Sequence, residues 1–190
     1  NTVVSDVREK WSDHLNSLWA TKPLLSETTP QITVKDLHEL MFKETGEDYR
    51  NEGDLNSAEE KFICAYSETH RGSQAVIVTE FPWSEAKFYH IQDPKDPEIA
   101  QRADLLFRGV EVATVPMRQT NYDKLIQQIK DQGYDPENPG LTDYLDSFKY
   151  GMPMEGGFGF GIARLVQKMI GLNNIKEAEL FPRDRNRLTP

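Results

Sequence analysis

The protein has 190 residues, 37% hydrophobic and 28% charged, which is long and apolar enough for a folded core. Its net charge of −9 argues against a domain that binds nucleic acid by neutralising phosphates, unless a basic patch is local. No apolar run approaches the roughly 18 residues that span a membrane, and the single cysteine, Cys64, excludes an internal disulfide. We therefore expect a cytoplasmic protein with no membrane partner.

The first 30 residues are predicted to form a helix and a linker, followed by a core over residues 31–190 of one partial domain. The linker at 24–30 is rich in Ser, Thr and Pro. The helix is amphipathic, because apolar residues recur at spacings of three and four: Val4, Val7, Trp11, Leu15, Leu18 and Trp19.

Two helices and two short strands are predicted to open the core. Thr33 caps a helix that Gly46 ends, and the next helix begins at Ser57, three residues before Glu60, which is the spacing of a capping box. The β-branched run at 75–79 predicts a buried strand, and residues 87–91 predict a second one.

The second half is predicted to hold one long strand over 103–115, interrupted at Gly109, and helices after Asn121 and over 142–150. Strands and helices do not alternate regularly, as they would in a doubly wound fold. We therefore predict an α+β fold, with a largely antiparallel sheet flanked by helices.

Glycines alternate with aromatic residues in Gly-Gly-Phe-Gly-Phe-Gly-Ile-Ala-Arg, residues 156–164, where a strand is predicted to become a helix over 162–170. One face of such a strand is bare backbone that a flat ligand or a phosphate can approach, while Phe158 and Phe160 are expected to pack into the core. Arg164 can add a bidentate positive charge at the same place. The alternative is a glycine-rich strand packed tightly on a helix, with no ligand.

This segment resembles motif 3 of class II aminoacyl-tRNA synthetases. With residues 135–153 and 172–190, it resembles the end of aspartyl-tRNA synthetases of the archaeal and eukaryotic type, to which asparaginyl enzymes are close. The resemblance implies the fold of that class without its N-terminal motifs 1 and 2, and hence part of a catalytic domain. It implies an intact enzyme, a homodimer, that uses ATP and Mg²⁺ to activate aspartate or asparagine, with tRNA as a further partner.

The resemblance also implies roles for particular residues. Asp104 and Glu111 would hold magnesium; they are seven residues apart, so a bulge or bend at Gly109 must bring them to one face of the strand. Arg118 and Arg164 would act in catalysis, Arg118 on the amino acid and Arg164 on the terminal phosphates. The residues expected to bind ATP are Glu111, Gly157, Gly159, Gly161 and Arg164, and those expected to bind the amino acid are Arg118, Glu80 and Thr114.

The chain departs from the family pattern around the expected amino-acid pocket, at Val115, Pro116, Glu155 and Ala163. Two alternatives therefore stay open. One is a paralogue that makes asparagine from an aspartyl adenylate and ammonia, without tRNA. The other is a non-catalytic paralogue that binds a nucleotide or a partner protein, with the first helix and its Trp11 and Trp19 as a candidate interface.

Overall fold

A computed structural model describes residues 2–18, 20–186 and 188–189, so Trp19 lies outside the described residues. The helices are α1 (Thr2–Lys10), α2 (Ser12–Ser17), α3 (Val34–Thr45), α4 (Ser57–Arg71), α5 (Tyr122–Asp131), α6 (Pro139–Lys149) and α7 (Ile162–Ile170). The strands are β1 (Gln31–Thr33), β2 (Ala75–Pro82), β3 (Ile99–Phe107), β4 (Val110–Arg118), β5 (Glu155–Gly156) and β6 (Gly159–Phe160). Within these ranges no helix is both long and apolar enough to cross a membrane.

The strands form one sheet in the order β1-β2-β3-β4-β5, with β6 also paired to β4. β1 runs parallel to β2, and the other pairs are antiparallel. This arrangement, with helices around it, confirms the predicted α+β fold.

The single long strand predicted over 103–115 is wrong, because the chain reverses there. β3 and β4 form a hairpin in which Phe107 pairs with Val110. The two turn residues, Arg108 and Gly109, both have positive φ, 47° and 79°, which is the conformation of a tight two-residue hairpin turn. Arginine rarely adopts it, so only the glycine signalled a break in the strand.

The sheet is packed on both faces. On one face, α3 and α4 contribute Leu37 and Ile63 to a buried cluster with Val78 of β2 and Leu106 of β3. On the other face, Phe107 and Val112 pack with Met169 of α7, and Val4 and Val7 lie against them. The first segment forms two short helices rather than one, and it packs on the core, although Trp11 remains 50% exposed.

Side-chain and glycine caps define the ends of α3 and α4. Thr33 Oγ1 accepts from the Asp36 amide and Gly46 ends α3 at φ 79°, as predicted. The cap of α4, however, is Asn56 rather than Ser57, and the Glu59 carboxylate accepts from the Asn56 amide at 2.9 Å. Glu59 therefore completes the capping box. Residues 87–91 form no strand; only His90 makes a bridge, to Arg118.

Candidate functional site

The β3–β4 hairpin brings Asp104, Glu111 and Thr114 to one face of the sheet. Asp104 pairs with Thr114, and Leu106 pairs with Glu111, with a register shift between Leu105 and Leu106. The extra residue in β4 is therefore near Val112, and this bulge puts Glu111 on the same face as Thr114. The prediction that the two carboxylates share a face agrees with this geometry, but the bulge is not at Gly109.

Asp104 is buried, at 3% exposure, and its carboxylate is held by an internal arginine. Arg102 Nη2 donates to Oδ2 at 2.5 Å, and Nε donates to Oδ1 at 3.3 Å. The guanidinium carbon also lies 4.0 Å from the centre of the Phe81 ring. Burial raises the pKa of Asp104, and the hydrogen bonds from Arg102 oppose that rise. Arg102 thus occupies one acceptor position on each Asp104 oxygen, and its positive charge opposes the binding of a second cation there.

Glu111 has a more open setting. It accepts from Thr114 Oγ1 at 3.0 Å, and Arg164 Nη1 lies 3.5 Å from its carboxylate. Arg164 also donates to the Glu111 backbone carbonyl at 2.8 Å, which fixes the guanidinium over β4. Burial raises the pKa of Glu60, and the neighbouring charge of Glu111 raises it further. Glu60, Glu111 and Arg164 line a cavity of about 400 Å³.

Glu111 fits a single carboxylate ligand to a cation that is already bound to phosphates and water. It does not form a protein-built metal centre. Among the described residues there is no group of three or more His, Cys, Asp or Glu side chains able to hold a metal ion. Of the pair Asp104 and Glu111, which were expected to hold magnesium together, Glu111 is the carboxylate that is not bound by Arg102.

A second cavity, of about 550 Å³, lies along the same strand and includes Arg118. The Thr114 hydrogen bond to Glu111 links the two cavities, because Thr114 lines this one and Glu111 lines the other. Of the residues that depart from the family pattern, Pro116 lines the Arg118 cavity, and Val115 is 44% exposed away from it. The lining residues are Phe88, Tyr89, Thr114, Pro116, Arg118, Gly140, Leu141, Tyr144, Phe158 and Gly159.

Two of the three glycines expected to bind ATP instead make room for the site's arginines. A Cβ on Gly157 would lie 2.5 Å from Arg118 Nη2, and a Cβ on Gly161 would lie 3.2 Å from Arg164 Cδ. Gly159 has open space at its Cβ position and lines the Arg118 cavity. Gly159 therefore offers bare backbone to a ligand, while Gly157 lets the Arg118 guanidinium, and Gly161 the aliphatic stem of Arg164, lie close to the main chain.

Phe158 and Phe160 do not pack into the core as predicted. They are 70% and 41% exposed, and Phe158 lines the Arg118 cavity. The reason is that β5 and β6 are each two residues long and lie at the edge of the sheet. An edge strand this short cannot bury a ring on its outer side.

The structure does not bring Glu80 together with Arg118 and Thr114. Glu80 sits at an irregularity in β2, with φ of 58°, and lines a separate cavity with His38 and Arg50. Three residues near the two cavities were not predicted, namely Arg102, Glu60 and Tyr144. Arg102 had a detectable signal, since it precedes Asp104 by two residues and so shares its strand face. Glu60 and Tyr144 approach through tertiary packing and had no local signal.

Comparison with known proteins agrees with this architecture. Residues 2–185 match the family model described as tRNA synthetases class II (D, K and N). The chain belongs to this family. It is 38% identical over 178 residues to the aspartate–tRNA(Asp/Asn) ligase of Thermus thermophilus, covering 94% of the chain and 41% of that protein. It is 35% identical over 189 residues to the aspartate–tRNA(Asp) ligase of Pyrococcus abyssi, covering 99% and 42%.

Solved structures of the same family have the same fold. The aspartyl-tRNA synthetase of Entamoeba histolytica superposes with a TM-score of 0.88 at 26% identity, over 99% of this chain and 39% of that one. The asparaginyl-tRNA synthetase of Pyrococcus horikoshii complexed with asparaginyl-adenylate gives 0.85 at 26% identity, over 98% and 42%. The chain thus spans about two fifths of the length of the relatives it matches.

Proposed function

We propose that the protein, in its natural length, is an ATP-dependent ligase that activates aspartate or asparagine as an aminoacyl adenylate. The observation that carries the proposal is the pair of arginines at two linked cavities along β4, Arg118 in one and Arg164 in the other. Thr114, Glu111 and the open backbone of Gly159 lie between them. The family's ligases, including an enzyme solved with asparaginyl-adenylate, support the same chemistry.

In the proposed reaction, an oxygen of the substrate carboxylate attacks the α-phosphorus of ATP. A new bond forms between that oxygen and phosphorus, the bond between the α-phosphorus and the bridging oxygen of the β-phosphate breaks, and pyrophosphate leaves. Arg118 binds and orients the amino acid, and Arg164 balances the charge that grows on the leaving phosphates. No nucleophile is needed from the protein, because positioning and charge stabilisation carry such a reaction.

Magnesium is proposed to arrive with ATP, where it neutralises phosphate charge. Glu111 would face it from the chain, with Thr114 orienting the carboxylate through their 3.0 Å hydrogen bond. Asp104 has no place in this proposal, since Arg102 already binds it. The transfer of the aminoacyl group to tRNA, a homodimeric assembly and a cytoplasmic location are further parts of the proposal, carried over from the family and from the single cysteine.

One observation favours a second candidate, a paralogue that binds nucleotide without catalysis. Arg102 neutralises one of the two carboxylates expected to hold magnesium, so the site would hold that cation less well. This candidate predicts that ATP binds but that no adenylate forms.

The test is amino-acid-dependent exchange of labelled pyrophosphate into ATP, using the protein in its natural length with magnesium. We expect exchange with aspartate or asparagine. Arg164→Ala should reduce it by about 100-fold or more, as for other transition-state charge contacts. Glu44→Gln, a change on the exposed side of α3, is the matched control and should leave the rate unchanged. ATP binding without any exchange would establish the second candidate.

A further inference from the structure

Glu155 lies opposite Arg118 in the sheet, beside the guanidinium that lines the 550 Å³ cavity. The two residues are register partners between β5 and β4, and Arg118 Nη1 lies 3.8 Å from Glu155 Oε1. Their side chains are 38% and 37% exposed, so both remain accessible to a small ligand. The guanidinium also lies close against the Gly157 backbone, where a Cβ would be 2.5 Å from Arg118 Nη2.

At this end of the cavity, the positive charge of Arg118 is therefore balanced by the negative charge of Glu155. Arg118 is the only Asp, Glu, Lys or Arg among the described residues that line it, and Glu155 stands directly beside it. The remaining lining is aromatic, apolar or hydroxyl-bearing. Tyr144 is close to both charges: burial raises its pKa, Arg118 lowers it and Glu155 raises it. A ligand side chain that reaches Arg118 must then meet a carboxylate as well as a guanidinium.

We infer that Glu155 makes this cavity select a neutral carboxamide side chain, and hence asparagine over aspartate. This inference rests on the proposed function, since it names the amino acid of the same site. A carboxamide has an oxygen that accepts from Arg118 and an N–H that donates to Glu155. The aspartate carboxylate can accept from Arg118 but has nothing to donate, and its charge is repelled by Glu155.

The expected preference for asparagine over aspartate is large enough to measure. A site that hydrogen-bonds one substrate group rejects an analogue without it by far more than a hydrophobic pocket does. Glu155 is partly exposed, so solvent weakens its effect. We therefore expect kcat/KM for pyrophosphate exchange to be about tenfold to 100-fold higher with asparagine than with aspartate.

The experiment measures pyrophosphate exchange with asparagine and with aspartate, for the protein in its natural length and for Glu155→Gln and Glu44→Gln. We expect Glu155→Gln to narrow the preference to about threefold or less, mainly by improving aspartate. Glu44→Gln should keep the original ratio. A preference for aspartate in the unmodified protein, as an ammonia-using asparagine-forming enzyme would show, overturns the inference, and so does an unchanged ratio in Glu155→Gln.

A second measurement separates this inference from the proposed function. Calorimetry of the same proteins with the non-hydrolysable sulfamoyl analogues of asparaginyl and aspartyl adenylate does not require catalysis. If exchange is absent, the ligase proposal fails, but tighter binding of the asparaginyl analogue, reduced in Glu155→Gln, would still support the selectivity. Equal binding of the two analogues, or binding of neither, would overturn it.

Discussion

Arg102 is the side chain whose removal the structure predicts to be most costly in the site region. It is 9% exposed, and it binds the carboxylate of Asp104, which is itself 4% exposed at its side chain. Arg102→Met keeps a long unbranched side chain but leaves a buried carboxylate without its cation. Breaking a buried ion pair in this way costs about 3–5 kcal/mol of unfolding free energy. A single domain has only about 5–15 kcal/mol in total.

The loss is measurable by urea denaturation and by thermal unfolding, where it corresponds to a fall in Tm of about 6–20 °C for a chain of this length. Arg102→Met with Asp104→Leu removes both charges, so it should recover at least about half of the loss. Arg50→Met, which removes an exposed pair with Asp48, is the matched control and should leave stability unchanged. A loss below about 1 kcal/mol, or a double variant no better than the single one, would show that the buried pair does not stabilise the fold in this way.

The pH dependence of Arg102→Met follows from the same burial. Burial raises the pKa of Asp104, and the loss of Arg102 removes the contact that opposes the rise. The folded variant then binds the proton more tightly than the unfolded chain, so protonation stabilises the fold. The stability deficit should be smallest near pH 4 and should grow as pH rises through the Asp104 pKa. A deficit independent of pH would contradict this cause.

Further predictions concern other contacts. Gly157→Ala should weaken binding of an adenylate analogue by about tenfold or more without changing the urea midpoint, because its Cβ would displace the Arg118 guanidinium. Asn56→Ala should cost about 1–2 kcal/mol of unfolding free energy by urea titration, since it removes the cap of α4. Burial raises the pKa of Cys64 to about 11, so iodoacetamide at pH 8 should label it slowly when folded and quickly in urea; equal rates would contradict this. Burial lowers the pKa of His90 to about 4, so this histidine's contribution to stability should be complete above pH 6.5 and decline as pH falls toward 4.

Local signals in the sequence predicted much of the fold. Thr33 and Gly46 mark the start and end of α3, because caps act on neighbouring backbone groups. Residues 162–170 form α7, as predicted. The predicted strand at 87–91 failed because this segment is closed as a turn, in which the Lys87 amide donates to His90 Nδ1 at 3.2 Å. The β-branched and aromatic residues there pack in a turn as well as in a strand.

The candidate site was predicted in part. Arg118, Thr114, Glu111 and Arg164, to which the family resemblance gave roles, line two cavities along β4. The sequence did not reveal that Arg102 binds the Asp104 carboxylate. Residues two apart on a strand share a face, but each side chain there can also pair with residues of neighbouring strands and helices. Nor did the sequence reveal that Gly157 and Gly161 seat arginines, since that depends on how tightly β4, β5 and α7 approach one another.

In the proposed reaction, a substrate carboxylate attacks the α-phosphorus of ATP at this site. Asparagine with ¹⁸O in its α-carboxylate, supplied with ATP, magnesium and hydroxylamine to the protein in its natural length, tests it directly. Hydroxylamine attacks the carbonyl carbon of an adenylate, so the oxygen bonded to phosphorus leaves with AMP. We predict AMP that carries one ¹⁸O together with asparaginyl hydroxamate, and loss of both in Arg164→Ala. Unlabelled AMP, or no AMP with either asparagine or equally labelled aspartate from a folded protein that binds ATP, would contradict this reaction.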